Sequence, residues 1–306
     1  MAAIVTQLIQ SSLQPSSLPT YKRAWKLFYD FFHTIFPGVP VNLPISAPHL
    51  ALFIAYLFDR NYAASTANTY ISALSYSHKL SSLPDPTKVF FIIQMLKGYG
   101  KLGSGFDGRL PITLPILHKI LCLAPDLSLS RYELCLFRAM CCLVFYAFPR
   151  VGEMAVTNNN TSILSIDNIA KLLKADNHVV SLKVTFLTYK HSYNQPPFSL
   201  VIGRQSLFCP VQFLLDYLSC RGNSPGPLFI LGGLPVPRRY FCGLLAMAIK
   251  RCGLNPARYK GHSFRIGAAS HAAERGMSDA QIRVLGRWKS NAFLRYIRIP
   301  SLSSTS

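Results

Sequence analysis

The chain has 306 residues, half of them apolar and only 14% charged, so it can bury a substantial core and is not a disordered protein. Lys and Arg number 32 against 12 Asp and Glu, a formal net charge of +20 that points to a polyanionic partner, nucleic acid or an acidic membrane surface. The most apolar run, residues 134 to 148, is interrupted by Arg138 and falls short of the roughly 20 apolar residues that a membrane-crossing helix needs.

The N-terminus lacks the basic start and long apolar stretch of a signal peptide, so an intracellular protein is expected. The eight cysteines contain no C-x-x-C pair and lie largely in apolar helical runs. They read as small hydrophobes in a reducing compartment, with no structural metal expected.

In chain order, "SSLPTYKRAWKLFYDFFHTIF" offers a serine or threonine cap and then Tyr21, Trp25, Phe28 and Phe32 at helical spacing. "APHLALFIAYLFDR" supplies a second helix, and "STANTYISALSYSHK" a third with Ala67, Ile71, Leu74 and His78 on one stripe. "TKVFFIIQMLKGYGK" is a fourth, expected to end at Gly98 and Gly100. These make a small basic helical bundle. The Gly-rich stretch 102 to 113 reads as a linker, with a domain boundary near residue 108.

Beyond it, Ser130 and Glu133 form a candidate capping box at the head of an apolar helix over 131–148. Pro149 stops that helix and can open another. "HVVSLKVTFLTYK" and "FSLVIG", either side of "HSYNQPP", predict a small antiparallel hairpin. Residues 209 to 300 return to helices. The fold class is mainly α: a helical domain, a linker, then a mostly helical domain with a small antiparallel sheet.

Within the second domain stand Arg150 and Glu153 in "FPRVGEM", Lys190 in "LTYKHS", and His262 and Arg265 in "GHSFRIG". Arg287, Trp288 and Tyr296 follow in "LGRWKSNAFLRYIR". Each has a bland reading taken singly: a surface ion pair, a solvated strand end, a satisfied core histidine, an amphipathic tyrosine. As a set they match the needs of metal-free phosphodiester cleavage. Two arginines can clamp the developing charge on the nonbridging oxygens. A tyrosine hydroxyl can form a covalent ester, a histidine can take or share its proton, and a lysine can protonate the leaving 5′-oxygen.

Ordered Arg, Lys, His-x-x-Arg and Tyr on this two-domain plan resemble the tyrosine recombinase (phage integrase) family over nearly the whole chain. "GRWKSNAFLRYIR" further resembles the recombinases of DIRS-like, Ngaro and Crypton mobile elements. The resemblance implies a core-binding DNA-binding domain at 1–107 and a catalytic domain at 108–306. It makes Arg150 and Arg265 the phosphate-binding arginines, with Glu153 orienting Arg150. It makes Lys190 the general acid in preference to Lys183 and Tyr296 the nucleophile, with His262 beside it.

The family usually carries His or Trp directly after Leu-Gly, where this chain has Arg287 followed by Trp288. Either Trp288 shifts by one residue into that place or Arg287 itself meets the phosphate; Trp288 is the expected occupant. The resemblance also implies a 3′-phosphotyrosyl intermediate, no metal or cofactor, and self-association on double-stranded DNA as a dimer or tetramer. For a eukaryotic element it implies a nuclear location. The rival readings are a domesticated DNA-binding protein that has lost the chemistry, and a lone protomer that relaxes supercoils as type IB topoisomerases do.

Overall fold

A computed structural model describes residues 1–13, 17–103, 108–157, 163–189, 192 and 195–298. The chain divides into two compact units, Met1–Asp107 and Gly108–Ser306.

The first unit is helical: α1 (Ala2–Ser12), α2 (Leu18–Ile35), α3 (Ala47–Asp59), α4 (Ala64–Leu80) and α5 (Phe90–Leu102). Its core is rich in aromatic rings because α2 turns Phe28, Phe31 and Phe32 inward against Phe53 of α3. The α4 stripe of Ala67, Ile71, Leu74 and His78 is buried as its period requires. His78 meets its own burial by accepting the Ile45 N–H at 2.9 Å and bonding the Leu74 carbonyl at 2.7 Å.

Two expectations fail here. Ser17 is the N-cap of α2, but neither it nor a threonine makes a side-chain cap bond. Helix α5 runs through Gly98 and Gly100 to Leu102 and meets its cap at Gly103. Glycine inside a helix costs about 1 kcal/mol, and the burial of Ile92 and Tyr99 offsets it.

The second unit is built on α7 (Arg131–Tyr146), which packs against α8 (Pro210–Arg221) and α10 (Gly261–Glu274). Helices α6 (Leu114–Leu123), α9 (Arg238–Arg251) and α11 (Asp279–Leu285) surround them. The Ser130–Glu133 capping box forms, with Glu133 Oε2 accepting the Ser130 N–H at 3.0 Å. Arg138, the charge inside the apolar run, donates through Nε and Nη2 to the Leu121 carbonyl at 3.2 and 3.0 Å. Among the described residues no helix is long and apolar enough to cross a membrane.

The sheet has three strands, not two: β1 (Ile169–Leu173), β2 (Val179–Phe186) and β3 (Phe198–Gly203), antiparallel in that order. Leu182, Val184 and Phe186 face Ile202, Leu200 and Phe198 across the β2–β3 pair, and the alternation buries the first two of these pairs and Phe186. A further pair, β4 (Ile230–Leu231) and β5 (Leu234–Pro235), forms a short ribbon.

The segment that opens this unit is pinned to the site. Leu110 N–H donates to the Arg258 carbonyl at 2.8 Å and Ile112 N–H to the Ser263 carbonyl at 2.9 Å. Helix α10 can lie this close because residue 267 is glycine: a Cβ there would stand 1.7 Å from the Ile112 carbonyl oxygen. Buried Ala268 and Ala269 continue the small-residue surface.

Candidate active site

Helix α7 ends at Tyr146, two residues before the expected stop, and the chain turns sharply at Phe148, whose φ of 54° is left-handed. Pro149 follows, and Arg150 leads into a single 3-10 turn, Val151–Glu153, in place of the helix expected there. This turn brings the Glu153 carboxylate back onto Arg150. Oε2 accepts the Arg150 backbone N–H at 2.9 Å, and Oε1 accepts its Nη1 at 3.1 Å. The i,i+3 pair is therefore no solvated surface bridge, since Glu153 is buried.

Arg265 comes from the buried face of α10 and is 1% exposed. Its Nη1 donates to the Phe148 carbonyl and its Nη2 to the Gly286 carbonyl, the latter at 2.8 Å. Burial first, then the charges of Arg150 and Arg287, push its pKa down to about 9. His262, one turn earlier on the same helix, reaches Tyr296: Nε2 and the phenol oxygen are 2.6 Å apart. An imidazole with its proton on Nδ1 accepts the phenol proton in this geometry.

Tyr296 ends a 3-10 turn, Asn291–Tyr296, anchored by buried Phe293. The backbone beside it is held by Ser270 of α10, whose Oγ donates to the Tyr296 carbonyl at 3.3 Å and accepts the Arg298 N–H at 2.8 Å.

Helix α11 closes in a Schellman turn: Trp288 N–H donates to the Arg283 carbonyl and Arg287 N–H to the Val284 carbonyl, both at 3.0 Å. Arg287 takes the left-handed position, φ 53°, that glycine normally fills. The turn sends consecutive side chains to different places. Trp288 folds back over Gly286, where a Cβ would stand 1.6 Å from its ring. It lies 4.4 Å from the Arg265 guanidinium carbon and 5.1 Å from the Tyr296 ring, centroid to centroid. Arg287 points inward, donating to Glu153 Oε2 at 2.6 Å. Burial first, with Arg150 adding to it and Glu153 opposing, pushes its pKa down to about 10.

The structure thus brings together Arg150, Glu153, His262, Arg265, Arg287, Trp288 and Tyr296. Of the two candidates for the position after Leu-Gly, Trp288 lies against Arg265 and Tyr296, whereas Arg287 lies behind Glu153. Lys190 lies outside the described residues. Lys183 is exposed on β2 between Ala170 and Val201. A cleft of about 230 Å³ opens beside Trp288, lined also by Tyr189, Gln195, Arg283 and Lys289. The Phe148 carbonyl and the Ser270 hydroxyl tie the site's elements together, and neither residue stands out in the sequence. The only sign of the first was the Phe-Pro step.

The fold defines an integrase-type architecture, a mostly helical unit with a small antiparallel sheet. The chain aligns with the XerH site-specific recombinase bound to difH substrate in a post-cleavage complex, at 14% identity and a TM-score of 0.63 over 92% of this chain and 76% of that one. It aligns with a lambda integrase dimer bound to a COC′ core site at 17% identity and TM-score 0.59, over 96% and 74% of the two chains. For the Tn1549 transposon integrase in complex with transposon right-end DNA the figures are 11%, 0.61, 91% and 89%. No family model and no curated protein matches the sequence.

Proposed function

We propose that the chain is a site-specific DNA recombinase that cleaves and rejoins strands through a 3′-phosphotyrosyl intermediate. The observation that carries this is the 2.6 Å contact of His262 Nε2 with the Tyr296 hydroxyl, beside buried Arg265. In the reaction the Tyr296 oxygen attacks phosphorus, its proton passes to His262, and the bond from phosphorus to the 5′-oxygen breaks. Arg150 and Arg265 donate to the nonbridging oxygens, and the Trp288 indole N–H can add a third donor. Lys190 supplies the proton to the departing 5′-oxygen, which leaves as a hydroxyl. The ester conserves the bond energy, so rejoining needs neither ATP nor a metal.

The +20 charge suits a DNA partner, and the DNA-bound recombinases that share the fold support the same partner here. Residues 1–107 would act as the core-binding domain, and protomers would pair on DNA. The "GRWKSNAFLRYIR" segment favours an origin in a DIRS-like, Ngaro or Crypton type of mobile element, with a nuclear site of action. A second reading, a DNA-binding protein without the chemistry, is favoured by one observation: Arg265 is 1% exposed beneath Trp288.

A nicked suicide duplex separates the two. A denaturation-resistant protein–DNA adduct, absent in Tyr296→Phe, supports the recombinase. Salt-sensitive binding with no adduct on any substrate favours the second reading.

A further inference from the structure

Arg287 has no step in the chemistry above, yet its side chain is 1% exposed. Its guanidinium carbon lies 3.7 Å from the centroid of the Phe186 ring and 5.6 Å from those of Tyr189 and Phe198. Ring faces therefore take the place of water around the charge. Nε and Nη1 have no hydrogen-bond partner among the described residues. Nη2 makes two contacts, with Glu153 Oε2 at 2.6 Å and the Phe148 carbonyl at 3.3 Å.

Those two acceptors are the ones that orient the other arginines. Glu153 holds Arg150 at two points: Oε1 accepts from its Nη1, and Oε2 accepts its backbone N–H. The Phe148 carbonyl accepts from Arg265 Nη1. One buried cation thus stands behind both arms of the arginine pair. The backbone points the same way: a left-handed turn disfavours a residue with a Cβ, yet this one carries arginine. An apolar side chain of similar length could fill the aromatic pocket but would leave Glu153 Oε2 with the Arg150 N–H alone.

We infer that Arg287 is a positioning residue: through Glu153 and the Phe148 carbonyl it sets the aim of Arg150 and Arg265, and by stacking on Phe186, Tyr189 and Phe198 it fixes the β2–β3 hairpin against that pair. The inference rests on the reading that these two arginines hold a DNA phosphate. It assigns Arg287 a task different from contact with the phosphate, which is left to its neighbour Trp288.

The test compares wild type with Arg287→Met, Arg287→Lys, Glu153→Gln and the double variant Arg287→Met/Glu153→Gln. Three readouts are taken on each: adduct formation at saturating nicked duplex, DNA affinity, and thermal unfolding. Misaligned arginines should slow adduct formation by about 100-fold in Arg287→Met, with DNA affinity unchanged. Lysine should recover part of the rate, since it can pair with Glu153 but cannot span to the Phe148 carbonyl as a planar fork does. The double variant should be no slower than the worse single variant.

A wild-type rate in Arg287→Met overturns the inference. So does a loss confined to affinity, the mark of a phosphate ligand, or a lowered unfolding midpoint at an unchanged rate, the mark of a structural role alone. If Arg287→Met does not fold, Arg287→Lys carries the comparison: an unchanged rate overturns and a slowed one supports. If wild type forms no adduct, the recombinase reading fails by itself. The unfolding double-mutant cycle then decides the Arg287–Glu153 pairing, with additive effects overturning it.

Discussion

The Tyr296 hydroxyl and His262 Nε2 lie 2.6 Å apart within one chain. Under the proposed function, the nucleophile would be delivered in cis, to the arginines of its own protomer. Mixing Tyr296→Phe with Arg265→Ala protein should give no adduct beyond that of either alone. Restored adduct in the mixture would show that the tyrosine is lent to a neighbouring protomer. His262→Ala should slow cleavage by about 10²–10⁴-fold, as expected when a positioned base is removed.

The lysine assignment is tested by the leaving group. Lys190→Ala should slow adduct formation on ordinary DNA by about 10²–10⁴-fold. A duplex with sulfur at the bridging 5′ position should remove the defect, because a thiolate departs without a proton. Lys183, exposed on the outer face of β2, should tolerate alanine on both substrates. A defect in Lys183→Ala that sulfur relieves would move the acid to that residue.

Two glycines make opposite predictions. Gly267→Ala drives a Cβ into the backbone of Ile112, which can yield only by moving the whole segment off α10. Overpacking of this kind costs about 1–3 kcal/mol, and Tm should drop by about 2–4 °C per kcal/mol for a unit of this size. Gly286→Ala meets instead the ring of Trp288, a side chain that can swing away. Its mark should be a red-shifted Trp288 emission, read in a Trp25→Phe background, with a smaller loss in Tm.

Glu133 gives a pH prediction. Its pKa is held below the ordinary carboxylate value, first by the Tyr240 hydroxyl donating at 2.7 Å and then by Ser130. A depressed carboxylate stabilises the fold fully above its unfolded pKa of about 4.5, and that contribution is lost as pH falls through the lower folded value. The Tm gap between wild type and Glu133→Gln should be constant near neutrality and close as pH is lowered. A gap that widens in acid would contradict the pairing.

Elements with a repeating pattern were legible in the sequence. The α4 stripe ending at His78 follows helical spacing, and β2 and β3 alternate because one face is buried. β1 was missed because it alternates nothing: "IAKLL" is exposed at four of its five positions, and only pairing with β2 makes it a strand. The site was legible as an ordered set of residue types. Its wiring was not. That Trp288 and Arg287 part company depends on a left-handed turn at a non-glycine residue. The pocket that receives Arg287 is made by residues about a hundred positions upstream, and no local pattern reports such a contact.

Phe148 adopts the same left-handed backbone just before Pro149. A Cβ in that region costs about 1–2 kcal/mol, but Phe148 is buried in the core and packs edge-on against Trp288. Losing a buried phenyl ring costs about 3–5 kcal/mol, so Phe148→Gly should lower Tm. The carbonyl of residue 148 is the shared rest for two buried guanidiniums, and a glycine there returns to the chain a rotational freedom whose restriction keeps that carbonyl aimed. Hardiness and turnover should therefore fall together at this residue, because one aromatic side chain both fills the core and fixes the carbonyl.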